Sequence, residues 1–281
     1  MSKNVIKSYK GFDKNMQCRG FQYEVGKEYE MDGEIKCCNR GFHACKSPME
    51  VWDYYDMLNS RYAEVEQSGK IEEEENSTKV CSSRIKIKAE LKLADIINIG
   101  VEWLKDITSP SKADGVLNDN GDRKKQIGSS GDYAKIGSSG DSAKIGSSGD
   151  SAKIGSSGDS AKIGSSGDSA KIGSSGDYAK IGSSGYYAKI GSSGDSAKIG
   201  SSGDYAQIGS TGEDSVIMCA GNSSIAKAKV GSWITLAEWK WSDEKKRDVP
   251  VCVKTEYVDG ENIKADTWYQ LKNGKFVEVN E

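Results

Sequence analysis

The sequence predicts a mainly β protein: a nonapeptide-repeat β-solenoid with 18 residues per coil, an α+β N-terminal domain and a β-rich C-terminal cap. Three observations predict it. Isoleucine recurs every nine residues from Ile127 to Ile208. Each unit reads Ile-Gly-Ser-Ser-Gly-Asp-Ser/Tyr-Ala-Lys, which mixes turn formers with alternating residues. The flanks carry no repeat and hold most of the aromatic residues and cysteines.

Residues 1–110 read as the N-terminal domain. Ser47-Pro-Met-Glu50 carries helix-start signals, with Ser47 as cap, Pro48 at the first position and Glu50 closing a capping box, so a helix is expected to about Leu58. Arg61 to Glu66 and Val80 to Ile87 alternate as strands, with a charged loop from Ile71 between them. Leu93 to Ile107 places Ile96, Ile97, Val101 and Leu104 on one helical face. Residues 111–126 are polar and irregular, a linker.

The solenoid is expected over 127–221. Two glycines and two serines per unit point to a turn, Gly-Ser-Ser-Gly-Asp. The rest alternates with period two, Ala and Ile inward, Ser/Tyr and Lys outward. One strand and turn per nine residues makes an 18-residue, two-sided coil, and five coils at ~4.8 Å would extend roughly 24 Å. A triangular 27-residue coil is the alternative. Residues 222–281 read as the cap: three strand-like runs and an Asn273-Gly274 hairpin signal, placed to cover the exposed backbone and apolar interior of a solenoid end.

A net charge of −3 predicts neither nucleic-acid binding by itself nor an acidic DNA mimic. No apolar run approaches the roughly 18–20 residues that span a bilayer, and the N-terminus lacks a signal-peptide core, so no membrane partner is expected. The seven cysteines are expected to be reduced thiols in a cytoplasm.

The chain resembles a family of phage and prophage proteins of unassigned function. The resemblance rests on Tyr9-Lys-Gly-Phe, Cys18-Arg-Gly-Phe-Gln-Tyr-Glu-Val-Gly-Lys-Glu-Tyr, Gly41-Phe-His-Ala-Cys-Lys-Ser-Pro, the Gly-Asp-Ser-Ala-type repeats, and Ile263-Lys-Ala-Asp-Thr-Trp-Tyr-Gln-Leu. It implies a phage or mobile-element context and brings no activity with it. Tyr9-Lys-Gly, Gly26-Lys-Glu-Tyr, Gly41-Phe-His and Arg61-Tyr-Ala-Glu-Val also loosely resemble the strand order of ADP-ribosyltransferases. There Lys10-Gly11 stands where Arg-Gly or His-Gly is usual, and no catalytic glutamate is evident.

Cys18, Cys37, Cys38 and Cys45, with His43, form the one conceivable metal set. The adjacency of Cys37 and Cys38 fits zinc spacing poorly, and no metal or other cofactor is expected. His43, the single histidine, is expected to be structural. Tyr9 and His43 are the weak catalytic candidates of a transferase-like reading. The repeat lacks the Gly-Gly-x-Gly-x-Asp spacing of calcium β-rolls, and its aspartates are expected to balance the lysines three residues on.

In a two-sided coil the repeat lysines form two ladders. Tyrosine replaces serine at 133, 178, 187 and 205, and Tyr186 replaces aspartate. Tyr178, Tyr186, Tyr187 and Tyr205, with Lys180, Lys189 and Lys198, are the expected binding surface. The function expected is that of a non-enzymatic, phage-encoded interaction protein in the infected host's cytoplasm. Its sharpest form is an inhibitor of a bacterial defence system, anti-CRISPR-like, acting by steric blocking. The expected partner is a host defence or nucleic-acid-processing complex, with contact to a nucleic-acid backbone as an option. The alternatives are an ADP-ribosyltransferase-like enzyme and a virion structural component.

Overall fold

A computed structural model describes residues 5–37, 39–74, 77–107, 117–118 and 126–279. The chain divides into two compact units, Met1–Trp103 and Leu104–Glu281.

The first unit is built on antiparallel strands in the order Glu28–Glu30, Lys79–Leu91, Phe42–Cys45, Ile6–Phe12, Arg61–Glu73. The two 13-residue strands, Arg61–Glu73 and Lys79–Leu91, also pair with each other, so the sheet closes on itself. Phe12, Ala63, Val65, Ile85 and Ile87 are fully buried inside it, alongside Met16, Tyr23 and Phe42. Each large side chain removed from water contributes about 1.5–3 kcal/mol. The helix runs Leu93–Ile107 as the apolar spacing predicts, with Ile96, Ile97 and Val101 buried. The side chain of Leu104 lies outside the described residues.

The expected helix from Ser47 is instead a five-residue 3-10 turn, Met49–Asp53. Among the described residues Ser47 Oγ has no hydrogen-bond partner and no side chain caps the turn. Glu50 is taken by a distant partner: its carboxylate accepts from Thr78 Oγ1 at 2.6 Å and Thr78 N–H at 3.1 Å. Asp56 then ends the segment by accepting the N–H groups of Leu58 and Asn59. A tertiary contact overrides the local capping signal. The charged loop also starts later than Ile71, because the preceding strand continues to Glu73.

The second unit contains the solenoid. Lys135 pairs with Lys153 and Lys144 with Lys162, in parallel and in register, so one coil is 18 residues. Alternate four-residue strands fall in two facing sheets. The first sheet contains Lys135–Ser138 and its 18-residue successors; the second contains Lys144–Ser147 and its successors. The coil runs past residue 221: Trp233 to Leu236 still pairs in parallel with Val216–Cys219. Most of the expected linker lies outside the described residues; Leu117–Asn118 pairs with the first sheet.

The phase of the repeat differs from expectation. The strand is Lys-Ile-Gly-Ser, with Ile and Ser inward and Lys and Gly outward. Ser/Tyr sits in the corner, in left-handed backbone (Ser142 φ 60°, Tyr178 φ 57°). The corner glycine has no substitute: a Cβ on Gly167 would stand 2.0 Å from the carbonyl oxygen of Gly149 on the preceding coil. The aspartates build a ladder onto backbone donors. Asp132 Oδ1 accepts the N–H of Asp150 at 2.9 Å, and Asp150 Oδ1 accepts that of Asp168 at 2.8 Å. Each carboxylate thus satisfies an exposed corner donor one coil on, which backbone pairing leaves open.

Beyond the coils, Trp233–Ser242 pairs with Arg247–Tyr257, and Tyr269–Lys272 with Lys275–Glu278. The second hairpin turns at Asn273-Gly274, both with positive φ, as a type I′ turn requires. Val258, Ile263, Tyr269 and Leu271 join the isoleucine core and close its end.

Candidate functional site

Two surfaces qualify. One is a cleft in the first unit, with a volume of about 730 Å³. Its walls include Tyr9, Lys10, Cys18, His43, Cys45, Tyr55 and Lys79. Lys10 organises it. Its Nζ donates to His43 O at 2.9 Å and Tyr55 OH at 3.1 Å, and lies 3.5 Å from Cys18 Sγ. The rings of Phe12, Tyr23 and Tyr55 each stand 5.6 Å from it. Gly11 lets Tyr55 approach, since a Cβ there would meet the ring at 2.3 Å.

Burial governs the proton affinities. It lowers that of Lys10, with the neighbouring Cys18 working against the shift. Burial, then the charge of Lys10, pushes His43 down to about 4. Burial pushes the Cys45 thiol up to about 12. Near neutral pH, His43 is therefore an uncharged imidazole of low basicity and Cys45 an uncharged thiol, a poor pair for general-base or thiolate chemistry.

The weak catalytic candidates Tyr9 and His43 do share this cleft. The cysteine set is divided. Cys18 and Cys45 line the cleft, whereas Cys37 Sγ contacts Glu72 O at 3.5 Å. Cys38 lies outside the described residues. Among the described residues no group of three His, Cys, Asp or Glu side chains is placed to hold a metal.

The other surface is the outer face of the second sheet. Lys144, Lys162, Lys180 and Lys198 are exposed there, one per coil. Among the described residues none of the four forms an ion pair. Beside them runs a strip of Gly128, Gly146, Gly164, Gly182 and Gly200 with open space above it. Ser142, Ser160, Tyr178 and Ser196 form the other bank of a shallow recess of about 680 Å³. On the first sheet, Lys135, Lys171 and Lys189 are half-buried and Lys153 is buried.

The tyrosines divide between the two faces, as an 18-residue coil implies. Tyr178, Lys180 and Lys198 belong to the second sheet's face. Tyr186, Tyr187 and Tyr205 stand at the opposite corners, next to the strands of Lys189 and Gln207. The Tyr187 and Tyr205 rings stack there, 5.0 Å apart at 11°. Tyr186 is exposed, and its N–H donates to Asp168 Oδ1 at 2.7 Å.

The lysine–glycine strip ends in an apolar patch that the sequence reading missed. Val216 stacks on Lys198 and Met218 on Gly200 in register; with Trp233, Val253 and Tyr257 they are exposed. The signal was present: Val216-Ile-Met-Cys stands where the repeat has Lys-Ile-Gly-Ser.

A family profile described as a domain of unknown function (DUF7666) matches residues 6–99, which takes in the whole cleft. No curated protein and no solved structure matches the chain.

Proposed function

We propose that this protein is a non-enzymatic interaction protein that docks an acidic partner along the open face of its solenoid. The observation behind this is the row Lys144, Lys162, Lys180 and Lys198, in register beside a flat glycine strip and unpaired with carboxylates among the described residues. Rungs ~4.8 Å apart hold the four lysine backbones in one row, so the positive charges gather along one face. Tyr178 adds an amphipathic ring in the middle of the row. We assign the row to an acidic protein surface.

The partner class we favour is a host defence or nucleic-acid-processing complex, blocked sterically by a phage-encoded protein in the infected bacterial cytoplasm. The phage-like sequence pattern supports that context. The test is plating of a defence-sensitive phage on hosts carrying individual defence systems. Expression of the protein should restore plating against one of them, and the triple variant Lys162→Glu, Lys180→Glu, Lys198→Glu should not. Failure to relieve any system, or full activity of the triple variant, rejects the reading.

A second reading rests on Tyr9 and His43 lining one cleft: a transferase-like activity of the first unit. Labelled NAD incubated with host lysate decides it. No label transfer, or transfer unchanged in Tyr9→Ala and His43→Ala, ends it.

A further inference from the structure

Among the described residues, Arg247–Tyr257 is the outermost strand of the second sheet and has a neighbour on one side only. Val258 N–H donates inward to Ser232 O at 2.9 Å. In an antiparallel ladder inward and outward groups alternate. Lys254 and Glu256 therefore direct their backbone groups inward, and Val253, Thr255 and Tyr257 direct theirs off the sheet. Side chains along this edge mix apolar and charged groups: Val253 is 65% exposed and Val251 50%, with Lys254 and Glu256 beyond them. Tyr257 stands 5.0 Å from Trp233, and Thr255 Oγ1 lies 2.9 Å from Thr235 Oγ1. An edge strand open on one side is a template for another strand, and proteins usually blunt such edges. Here the blunting is partial. Pro250, which lacks an N–H, and the bulge opposite Glu238 and Trp239 both fall in the first half of the strand and leave 253–257 in regular pairing.

We propose that the occupant of this edge is a second copy of the chain, paired antiparallel about a two-fold axis through Thr255. The strand is self-complementary about that point. Thr255 meets Thr255, Val253 meets Tyr257, and Lys254 meets Glu256 of the second copy, twice over. The backbone phase agrees, because Val253, Thr255 and Tyr257 hold the outward groups, giving about six hydrogen bonds between copies. Shifting the axis to Lys254 or Glu256 keeps outward residues opposite outward residues but sets like charges against each other on the axis. Shifting it to Val253 keeps the phase but sets Pro250 against Glu256 and loses both charge pairs. Lys254 and Glu256 already form an ion pair at 2.6 Å within one strand. The dimer turns that pair into a four-membered alternating cluster. It also joins the second sheets of two copies end to end, with the apolar patches adjoining and a lysine row running outward on each side. The dimer does not depend on the docking reading above: its readout is oligomeric state, and defence relief can fail while the dimer stands.

The experiment is sedimentation equilibrium of the full chain from low to high micromolar concentration, with folding of every variant checked by its thermal midpoint. A concentration-dependent dimer is expected. Lys254→Glu alone and Glu256→Lys alone each place like charges across the axis and should weaken it about tenfold or more. An equimolar mixture of those two variants should recover a heterodimer, since each then faces its complement. The double variant Lys254→Glu, Glu256→Lys should self-associate as the natural chain does. Thr255→Pro removes an outward N–H and should leave a monomer. A natural chain that stays monomeric overturns the proposal, and so does a monomer that captures an added extended peptide. Single charge variants that dimerise undiminished, or a mixture that fails to recover, overturn the register.

Discussion

The first unit and the solenoid fill their interiors by opposite means. The first uses large, non-repeating side chains such as Phe12, Ile85 and Ile87, and buries polar groups among them, Lys10 in the cleft wall and Gln67 in the sheet. The solenoid uses isoleucine, alanine and serine at every coil. Irregular packing builds a cleft with particular neighbours around it; regular packing builds a straight rod whose individuality lies outside, on rungs and at breaks in the pattern. The comparison also separates what each unit tolerates. The solenoid should be intolerant where coils touch and permissive where they do not, whereas the first unit should be sensitive at its buried polar contacts.

The largest effect should come from two glycines three residues apart. Gly167→Ala drives a Cβ into the backbone of the preceding coil at 2.0 Å. Such overpacking against main chain that cannot yield should cost at least about 3 kcal/mol. Gly164→Ala points into open space and should change stability by less than about 1 kcal/mol. Denaturant midpoints measure both. Equal effects would show that the corner does not set the coil spacing.

Next comes Gln67 in the first unit. Its Oε1 accepts from Ser8 Oγ at 2.7 Å, and its Nε2 donates to Phe42 O at 2.8 Å and Val80 O at 3.1 Å. Gln67→Leu keeps the volume and strands those buried partners, which should cost about 2–4 kcal/mol. Chemical denaturation reads it, and a loss below 1 kcal/mol would mean that water reaches the site.

The third effect is a pH dependence confined to the first unit. His43 binds its proton near 4 in the folded chain, against an ordinary 6.5. On acidification the unfolded chain takes up that proton first. Stability is therefore fully present above pH 6.5 and falls as pH drops towards 4, by at most about 1.4 kcal/mol per pH unit. Lys10, Lys79 and Arg19 face the ring and act in the same direction. His43→Gln should flatten that segment of the stability profile; an unchanged slope would assign it to other groups.

The same contrast explains what the sequence disclosed. The 18-residue coil was legible because each residue reappears with the same surroundings, so the nine-residue period carries the register directly. The Leu93–Ile107 helix and the Asn273-Gly274 turn were legible because their signals are local. The strand phase was not: Gly-Ser-Ser-Gly resembles a turn, yet the first glycine lies on an open strand face and the first serine points inward. The helix from Ser47 was lost to Thr78, 28 residues beyond Glu50. Lys10 is the clearest gap. Nothing local marks a strand lysine as the centre of a cleft, and its partners Cys18, His43 and Tyr55 meet it only through the fold. The edge at Thr255 was half visible, as a strand, but its outermost place in the sheet was not.

The smallest effect tests the solenoid's interior chemistry. The inward serines at 147, 156, 165, 174, 183, 192 and 201 are buried with no hydrogen-bond partner for their hydroxyls. An unsatisfied buried hydroxyl is unfavourable, and alanine removes it while leaving only a small void. Ser174→Ala should then raise stability by up to about 1 kcal/mol, measured as a higher denaturant midpoint with unchanged slope. A loss of stability instead would mean that the column of hydroxyls bonds along the rod. The two interiors would then share one rule, polar groups buried only where they are satisfied, and the contrast between the units would reduce to side-chain size.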